Sequence, residues 1–214
     1  PSGNFGNIYA GFLARSMGVP IRRLILATNE NNVLEEFFAT GVYRPRSAED
    51  TLATSSPSMD ISKASNLERF IWALLGPEAF VRRWEELEAT GTLDLRDQLP
   101  RLRDEFSFVA GTSSHADRLK TIRSVKKRSG HLIDPHTADG VTVALRTMEP
   151  GFPTLVMETA KAAKFPQTVA EALGSEPETP DVVADLLARP QKVETIDNEE
   201  APLRALIEER ALTR

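Results

Sequence analysis

The sequence predicts an α/β fold built on a parallel sheet, and three observations carry the prediction. A glycine-flanked turn, Pro1-Ser2-Gly3-Asn4-Phe5-Gly6-Asn7, runs directly into an apolar helix pattern at Ile8. That pattern stops at Gly18 and Pro20 and is followed by the continuous apolar run Leu24-Ile25-Leu26-Ala27, as expected of a strand buried on both faces. Around Asp134-Pro135 the chain repeats the same logic, a short apolar run turning into a helix with Pro at its start.

The elements follow in order. In the first helix, residues 8–17, small Ala10, Gly11 and Ala14 permit close packing, and Gly18 with Pro20 end it. With the strand behind it this makes half a βαβ unit, and a parallel strand is expected ahead of Pro1. The glycine turn would then lie outside the carboxyl end of a strand, where open α/β sheets hold ligands. Residues 31–39 read as a short helix with Leu34, Phe37 and Phe38 on one side, closed by Gly41. Residues 43–60 are irregular, rich in Ser, Thr and Pro, and too long for a plain connection. The hydroxyls of Thr54, Ser55, Ser56 and Ser58 with basic Arg44, Arg46 and Lys63 suit an anionic substrate; a solvated surface loop accounts equally well for that composition.

Residues 66–75 and 77–89 read as two amphipathic helices with Phe70, Ile71, Leu74, Phe80, Val81, Trp84 and Leu87 at core spacing. Residues 93–105 read as helical with an interruption at Pro100. A short strand is expected over 106–110 and a helix over 114–128, whose basic end at Lys126, Lys127 and Arg128 complements the helix dipole. Residues 154–157 are a further candidate for a buried strand, and 166–173 for a helix. The acidic tail 175–214 is expected to add helices and an edge strand around 193–196.

With 214 residues, 41% of them hydrophobic, the chain can bury a substantial core as one domain or two small ones. A formal charge of -5 gives no broad basic field for nucleic acid. No apolar run approaches a membrane span or a signal peptide, so a cytoplasmic small-molecule protein is expected. The absence of Cys removes disulfides, thiolate metal sites and Cys nucleophiles together. His115, His131 and His136 are not at metal-ligand spacing, and no metal is predicted.

The glycine turn can direct several backbone N–H groups at one anion at a helix N-terminus. No Lys-Ser or Lys-Thr follows its second glycine, and its spacing is not that of the dinucleotide turn. An anion smaller than a nucleotide is favoured, against the alternative of an ordinary tight turn. Thr137 places a hydroxyl near a helix N-terminus, where it can meet a ligand atom. His131 and His136 flank an Asp-Pro turn and read as hydrogen-bonded structural residues rather than as an acid-base pair.

Five ordered motifs add a resemblance: Pro-Ser-Gly-Asn-Phe-Gly-Asn at 1–7, Ala-Thr-Asn-Glu-Asn at 27–31, Ser-Pro-Ser-Met-Asp-Ile at 56–61, Asp-Pro-His-Thr-Ala at 134–138, and Glu-Thr-Ala followed by Ala-Lys-Phe within 158–165. Over residues 1–174 the chain resembles the C-terminal part of the threonine synthases, in their long bacterial and fungal form. The resemblance implies pyridoxal-phosphate fold type II, the three-layer, tryptophan-synthase β-like architecture, incomplete at its N-terminus. It implies pyridoxal 5'-phosphate as cofactor, with Gly3, Asn4, Phe5, Gly6 and Asn7 around its phosphate and Thr137 at its ring nitrogen, the hydroxyl donating a hydrogen bond. Ser56, Ser58 and Asn66 fall in a segment that would face the substrate.

The implied reaction turns O-phospho-L-homoserine and water into L-threonine and phosphate by elimination and replacement. In the family the lysine that forms the Schiff base with the cofactor lies in a Phe-Lys-Asp motif upstream of the glycine loop, and no Phe-Lys-Asp occurs here. Lys164, between Ala163 and Phe165, matches a different family segment and reads as structural or anion-facing. The resemblance thus implies no catalytic residue in this chain, a missing N-terminal half as partner, and no turnover by the chain alone. Residues 1–174 would form the C-terminal part of the cofactor domain, with a helical insertion near 66–105, and residues 175–214 a helical tail packed on it; relatives of the fold suggest an oligomer. The alternatives are a serine or threonine dehydratase of the same fold, or a phosphate-binding module without catalysis.

Overall fold

A computed structural model describes residues 1–211 and divides the chain into two units, Pro1–Glu178 and Thr179–Arg214, the last three residues of the second lying outside the description. The first unit is layered around a pair of parallel strands, β1 (Leu24–Thr28) and β4 (Phe108–Thr112), in register from Leu24 opposite Phe108 to Thr28 opposite Thr112. The backbone N–H of Ser2 donates to the carbonyl of Ala27 at 3.0 Å, so the chain ahead of the glycine turn lies along β1 as the half βαβ unit requires.

Alternation along the strands sends side chains to opposite faces. Leu24, Leu26 and Phe108 join the main apolar cluster with helices α1 (Gly6–Ser16), α2 (Val33–Thr40) and α3 (Leu67–Leu75). On the other face lies α6 (Pro135–Thr147), which sits so close that a Cβ on Gly111 would come within 2.9 Å of Val143 Cγ1. Beyond it, α5 (His115–Ser129) and α7 (Pro166–Leu173) enclose a smaller cluster of Leu119, Ile122, Ile133, Ala138 and Ala172. Helix α5 opens with a capping box between Ser114 and Asp117 and closes at left-handed Gly130, whose carbonyl accepts from Lys126 Nζ at 2.9 Å.

The main cluster is dominated by phenylalanines. Phe38 stacks on Phe108 at 4.6 Å, and Phe70 meets Phe12 edge-on at 5.2 Å. Phe5 sits among Phe38, Phe70 and Phe108 with centroids 5.8, 5.5 and 6.0 Å away, fully buried although its φ is +66°. A left-handed conformation at a non-glycine residue costs about 1–2 kcal/mol. Burying a phenyl ring returns roughly 1.5–3 kcal/mol, so the aromatic cluster holds the turn in a conformation its backbone alone would not choose.

Three expectations are corrected. Residues 93–105 do not begin as a helix: Leu93–Asp94 form β3, antiparallel to β2 (Val42–Tyr43), because Leu93 and Leu95 are both buried and Leu95 N–H donates to Gly41 O at 2.7 Å. Period-two burial wins there, and helical turns follow only from Arg96, a tight 3-10 turn at Arg96–Gln98 and a wide π-helical turn at Arg101–Glu105. Between the two strands run α3 and α4 (Pro77–Thr90). Residues 154–157 make no ladder among the described residues; Val156 packs against α6 at Gly140 while Leu155 is 88% exposed. Apolar β-branched residues fit a pleated surface, yet a strand needs a partner. Residues 193–196 are likewise without a strand, and the second unit consists of α8 (Asp181–Ala188) and α9 (Glu200–Arg210) with the pairs Arg189–Asp185, Arg204–Glu200 and Arg210–Glu194.

Candidate functional site

At the N-terminus of α1, Phe5 is the residue before the first helical turn, and its left-handed backbone reverses the direction of successive N–H groups to form a concave nest. The N–H groups of Gly3, Asn4, Phe5, Asn7 and Ile8 have no acceptor among the described residues, while that of Gly6 donates to Asn4 Oδ1 at 2.8 Å. Gly3 is required for a different reason: a Cβ there would lie 3.1 Å from Met59 Cα and 3.2 Å from Met59 O. The backbone of the Ser-Pro-Ser-Met-Asp segment is therefore seated directly on the glycine turn. Asn66 braces the other side, donating from both backbone N and Nδ2 to Asn4 O at 3.0 and 3.1 Å.

The second hydroxyl-bearing helix start is built on Asp134. Its carboxylate caps α6 by accepting from His136 N at 2.9 Å and Thr137 N at 3.3 Å, and it also accepts the Thr137 hydroxyl at 2.5 Å. Thr137 is buried, so this is a positioned side chain with one set of lone pairs left to offer. In this structure the Thr137 hydroxyl donates to Asp134, so donation to a ring nitrogen would require its hydrogen to turn away from that carboxylate. His136 Nε2 accepts from Ser58 N–H at 3.3 Å, and burial lowers its pKa from 6.5 to about 4, with Lys164 and Arg118 pushing the same way against Asp134. A neutral imidazole that accepts at Nε2 is a strut between α6 and the Ser58 loop. His131 and His115 are also hydrogen-bonded, to Glu158 at 2.8 Å and Glu171 at 2.9 Å.

The irregular stretch before Asp60 is ordered by a single carboxylate. Asp60 Oδ1 accepts from Asn29 Nδ2, Asn31 Nδ2 and Thr54 Oγ1 at 2.8, 3.0 and 2.7 Å, and Oδ2 from Thr54 N at 2.8 Å. This clamps the loop over the carboxyl end of β1. A second, deeper network was not anticipated from the sequence. Arg118, fully buried, donates to Asp139 Oδ1 at 2.8 Å, to Glu30 Oε2 at 2.6 Å and to Ser55 Oγ. Burial pushes Asp139 up to about 6, opposed by Arg118 and by the hydroxyls of Ser56 and Ser113, which face it short of good hydrogen-bond geometry. The signal available was Glu30 inside Ala-Thr-Asn-Glu-Asn and Asp139 one residue past Asp-Pro-His-Thr-Ala; Arg118 lay in an ordinary amphipathic helix.

The structure thus gathers the predicted residues into one region without giving them equal access. Gly3, Asn4, Phe5, Gly6 and Asn7 form the nest, Asn66 supports it, and Ser58 is exposed beside His136. Ser56 is fully buried with its hydroxyl turned to Asp139, which removes it from direct reach of a ligand.

A nest at the carboxyl edge of a parallel sheet, a capped helix presenting a buried hydroxyl and a clamped hydroxyl-rich loop together define an α/β protein with a concave, donor-rich site at its sheet edge. Residues 137–207 match the family described as "Threonine synthase, C-terminal". The chain is 50% identical to the threonine synthase of Methylobacillus glycogenes over 98% of its own length and 45% of that relative's, and 51% identical to that of Corynebacterium glutamicum over 93% and 42%. It superposes on a PLP-bound threonine synthase from Brucella melitensis with a TM-score of 0.88 and 35% identity, covering 100% of this chain and 46% of the other. The fold is therefore that of the fold type II pyridoxal-phosphate enzymes. Within them, the chain is similar over nearly its whole length to the C-terminal part of the threonine synthases, and it spans somewhat under half the length of the relatives it matches.

Proposed function

We propose that this chain supplies the cofactor-phosphate nest, a ring-facing hydroxyl and part of the substrate site of a threonine synthase, a lyase that converts O-phospho-L-homoserine and water into L-threonine and phosphate with pyridoxal 5'-phosphate. The observation that carries the reading is the nest itself: five N–H groups without acceptors among the described residues, held by a left-handed, fully buried Phe5. Residues present fit the cofactor. Gly3, Asn4, Phe5, Gly6 and Asn7 would take its phosphate, and the Thr137 hydroxyl, positioned by Asp134, would face its ring nitrogen. When bound, the cofactor supplies the electron sink that makes carbon-bound hydrogens of an attached amino acid removable.

This chain's residues bind and orient. Its seven lysines include none in a Phe-Lys-Asp setting, and Lys63, Lys126, Lys161 and Lys164 turn to Glu88, Gly130 O, Glu158 and Ser58. Proton transfer at the substrate's carbons is accordingly assigned to a lysine contributed by the N-terminal half of the enzyme, and the chain alone is expected not to turn over. The test is to titrate the chain with pyridoxal 5'-phosphate, then to assay threonine and phosphate with phosphohomoserine, with and without an added segment from a relative that carries the lysine. The reading expects cofactor affinity from the chain and both products only in the mixture. A keto acid and ammonia would indicate a dehydratase instead, and no cofactor affinity in either sample would refute it.

A further inference from the structure

Asp134 carries a charge that its role as the cap of α6 does not require. The side chain is fully buried, yet no lysine, arginine or histidine forms an ion pair with it among the described residues, whereas Asp139 in the next turn of the same helix has Arg118. Its three partners are neutral donors. Oδ1 accepts from His136 N at 2.9 Å and Thr137 N at 3.3 Å, and these two bonds make the cap. Oδ2 accepts only the Thr137 hydroxyl, at 2.5 Å. An asparagine caps a helix about as well as an aspartate, so the cap asks for an acceptor oxygen and not for a buried charge.

The charge is passed on through Thr137. A hydroxyl has one hydrogen, and here it is spent on the carboxylate in a bond roughly twice as strong as one between neutral groups. The Thr137 oxygen is thereby left as an acceptor, and it accepts from nothing among the described residues. It also stands close to the glycine turn. Ser58 N donates to His136 Nε2 at 3.3 Å, the next residue, Met59, lies with its backbone against Gly3, and a Cβ on Gly140 of α6 would come within 2.8 Å of Pro1 Cδ. The start of α6 and the nest therefore flank the same short segment. An acceptor backed by a buried carboxylate without a counter-ion matches an N–H donor that bears positive charge; an aromatic nitrogen without its proton would present lone pair to lone pair.

We propose that Asp134 is a positioning residue that acts through Thr137 to hold the cofactor's ring nitrogen in its protonated, donating form, the ring supplying the counter-charge that the buried carboxylate lacks. The proton comes from water on binding. This reverses the direction of the hydrogen bond that the sequence led us to expect at Thr137, and it places a carboxylate one hydroxyl away from a ring that a lone threonine would leave neutral. A protonated ring is the stronger electron sink. The inference rests on the function proposed above. The other charges at this end of α6 are Lys164, whose field opposes ring protonation, and Arg118, which is paired with Asp139 and Glu30; His136 is neutral above about pH 4.

The test uses the whole chain with pyridoxine 5'-phosphate labelled with 15N in the ring, a probe that lacks the aldehyde and cannot condense with lysine. The 15N shift of the bound ring, followed against pH, reads its protonation directly, and calorimetry reads its affinity. The unsubstituted chain is expected to keep the ring protonated to a pH about one unit or more above that of the free probe, a tenfold change in the proton's affinity. Thr137→Ser should preserve the effect. Asp134→Asn, which can still cap α6, and Thr137→Val, which leaves the Asp134 cap intact, should both abolish it; thermal unfolding checks that each is folded, and Thr137→Val decides if Asp134→Asn is not. A bound ring without its proton in the unsubstituted chain, or one that titrates at the same pH in both variants, overturns the inference and leaves the cofactor reading standing. Absence of any affinity for the probe overturns the cofactor reading, and this inference with it.

Discussion

Replacing Arg118 by Met tests the buried network most directly. The guanidinium is fully buried and bonds Asp139 at 2.8 Å, Glu30 at 2.6 Å and Ser55, while Asp139 is itself fully buried with Oδ2 lacking a well-formed hydrogen bond among the described residues. Glu30 can turn to water once released, since its side chain is 27% exposed, but Asp139 cannot. Met fills most of the lost stem, so the cost is mainly the orphaned carboxylate, about 3–5 kcal/mol at pH 8. That is a fifth or more of the roughly 5–15 kcal/mol available to a folded domain.

The pH dependence has a definite sign. Burial holds Asp139 near 6 even with Arg118 pulling it down, so its removal raises the folded-state value further above the ordinary 3.8. A carboxyl raised in the folded state destabilises as pH rises through that value and ceases to do so below the unfolded value, so the penalty of Arg118→Met shrinks from pH 8 toward pH 4. Urea unfolding followed by circular dichroism at both pH values measures it. Adding Asp139→Asn should recover about 1–3 kcal/mol at pH 8, because an amide needs no counter-ion. A loss under about 1 kcal/mol for Arg118→Met, or no recovery in the double variant, would refute the account of the network.

Two further outcomes are expected. Gly3→Ala should cost about 1–3 kcal/mol and weaken cofactor-phosphate binding, because the new Cβ meets the Met59 backbone at 3.1 Å, whereas Gly6→Ala meets only the Asn4 and Asn66 side-chain ends at 3.1 and 3.2 Å and should be milder; thermal unfolding with 31P titration separates the two. His136 should stay unprotonated in the folded chain down to about pH 4 while the unfolded chain takes up a proton near 6.5, so stability is full above pH 6.5 and falls by at most about 3 kcal/mol as pH drops toward 4. An NMR titration of the ring in the folded chain checks the first part, and a His136→Asn variant should lose that part of the acid slope.

The sequence by itself determined the local grammar. The glycine turn, the buried run Leu24–Ala27, the Asp-Pro start of α6 and the basic-ended helix pattern of α5 each show themselves within a short window, and the structure places helices and strands there. The fold class and the cofactor family were legible for the same reason, because both rest on ordered local motifs. What failed locally was pairing. Leu93–Asp94 became a strand because Val42–Tyr43 came alongside, and residues 154–157 did not because nothing described here does.

Only the tertiary structure decided the character of the site. Phe5 keeps its left-handed backbone through rings contributed by α2, α3 and β4, and Gly3 is fixed by a main chain more than fifty residues away. The Thr137 hydroxyl meets Asp134, Ser56 turned inward to Asp139, and Lys164 lies beside Ser58 without a carboxylate partner among the described residues. Such assignments depend on which charges and donors meet after folding, when burial raises the cost of every unpaired group, and the order of residues along the chain does not contain that information.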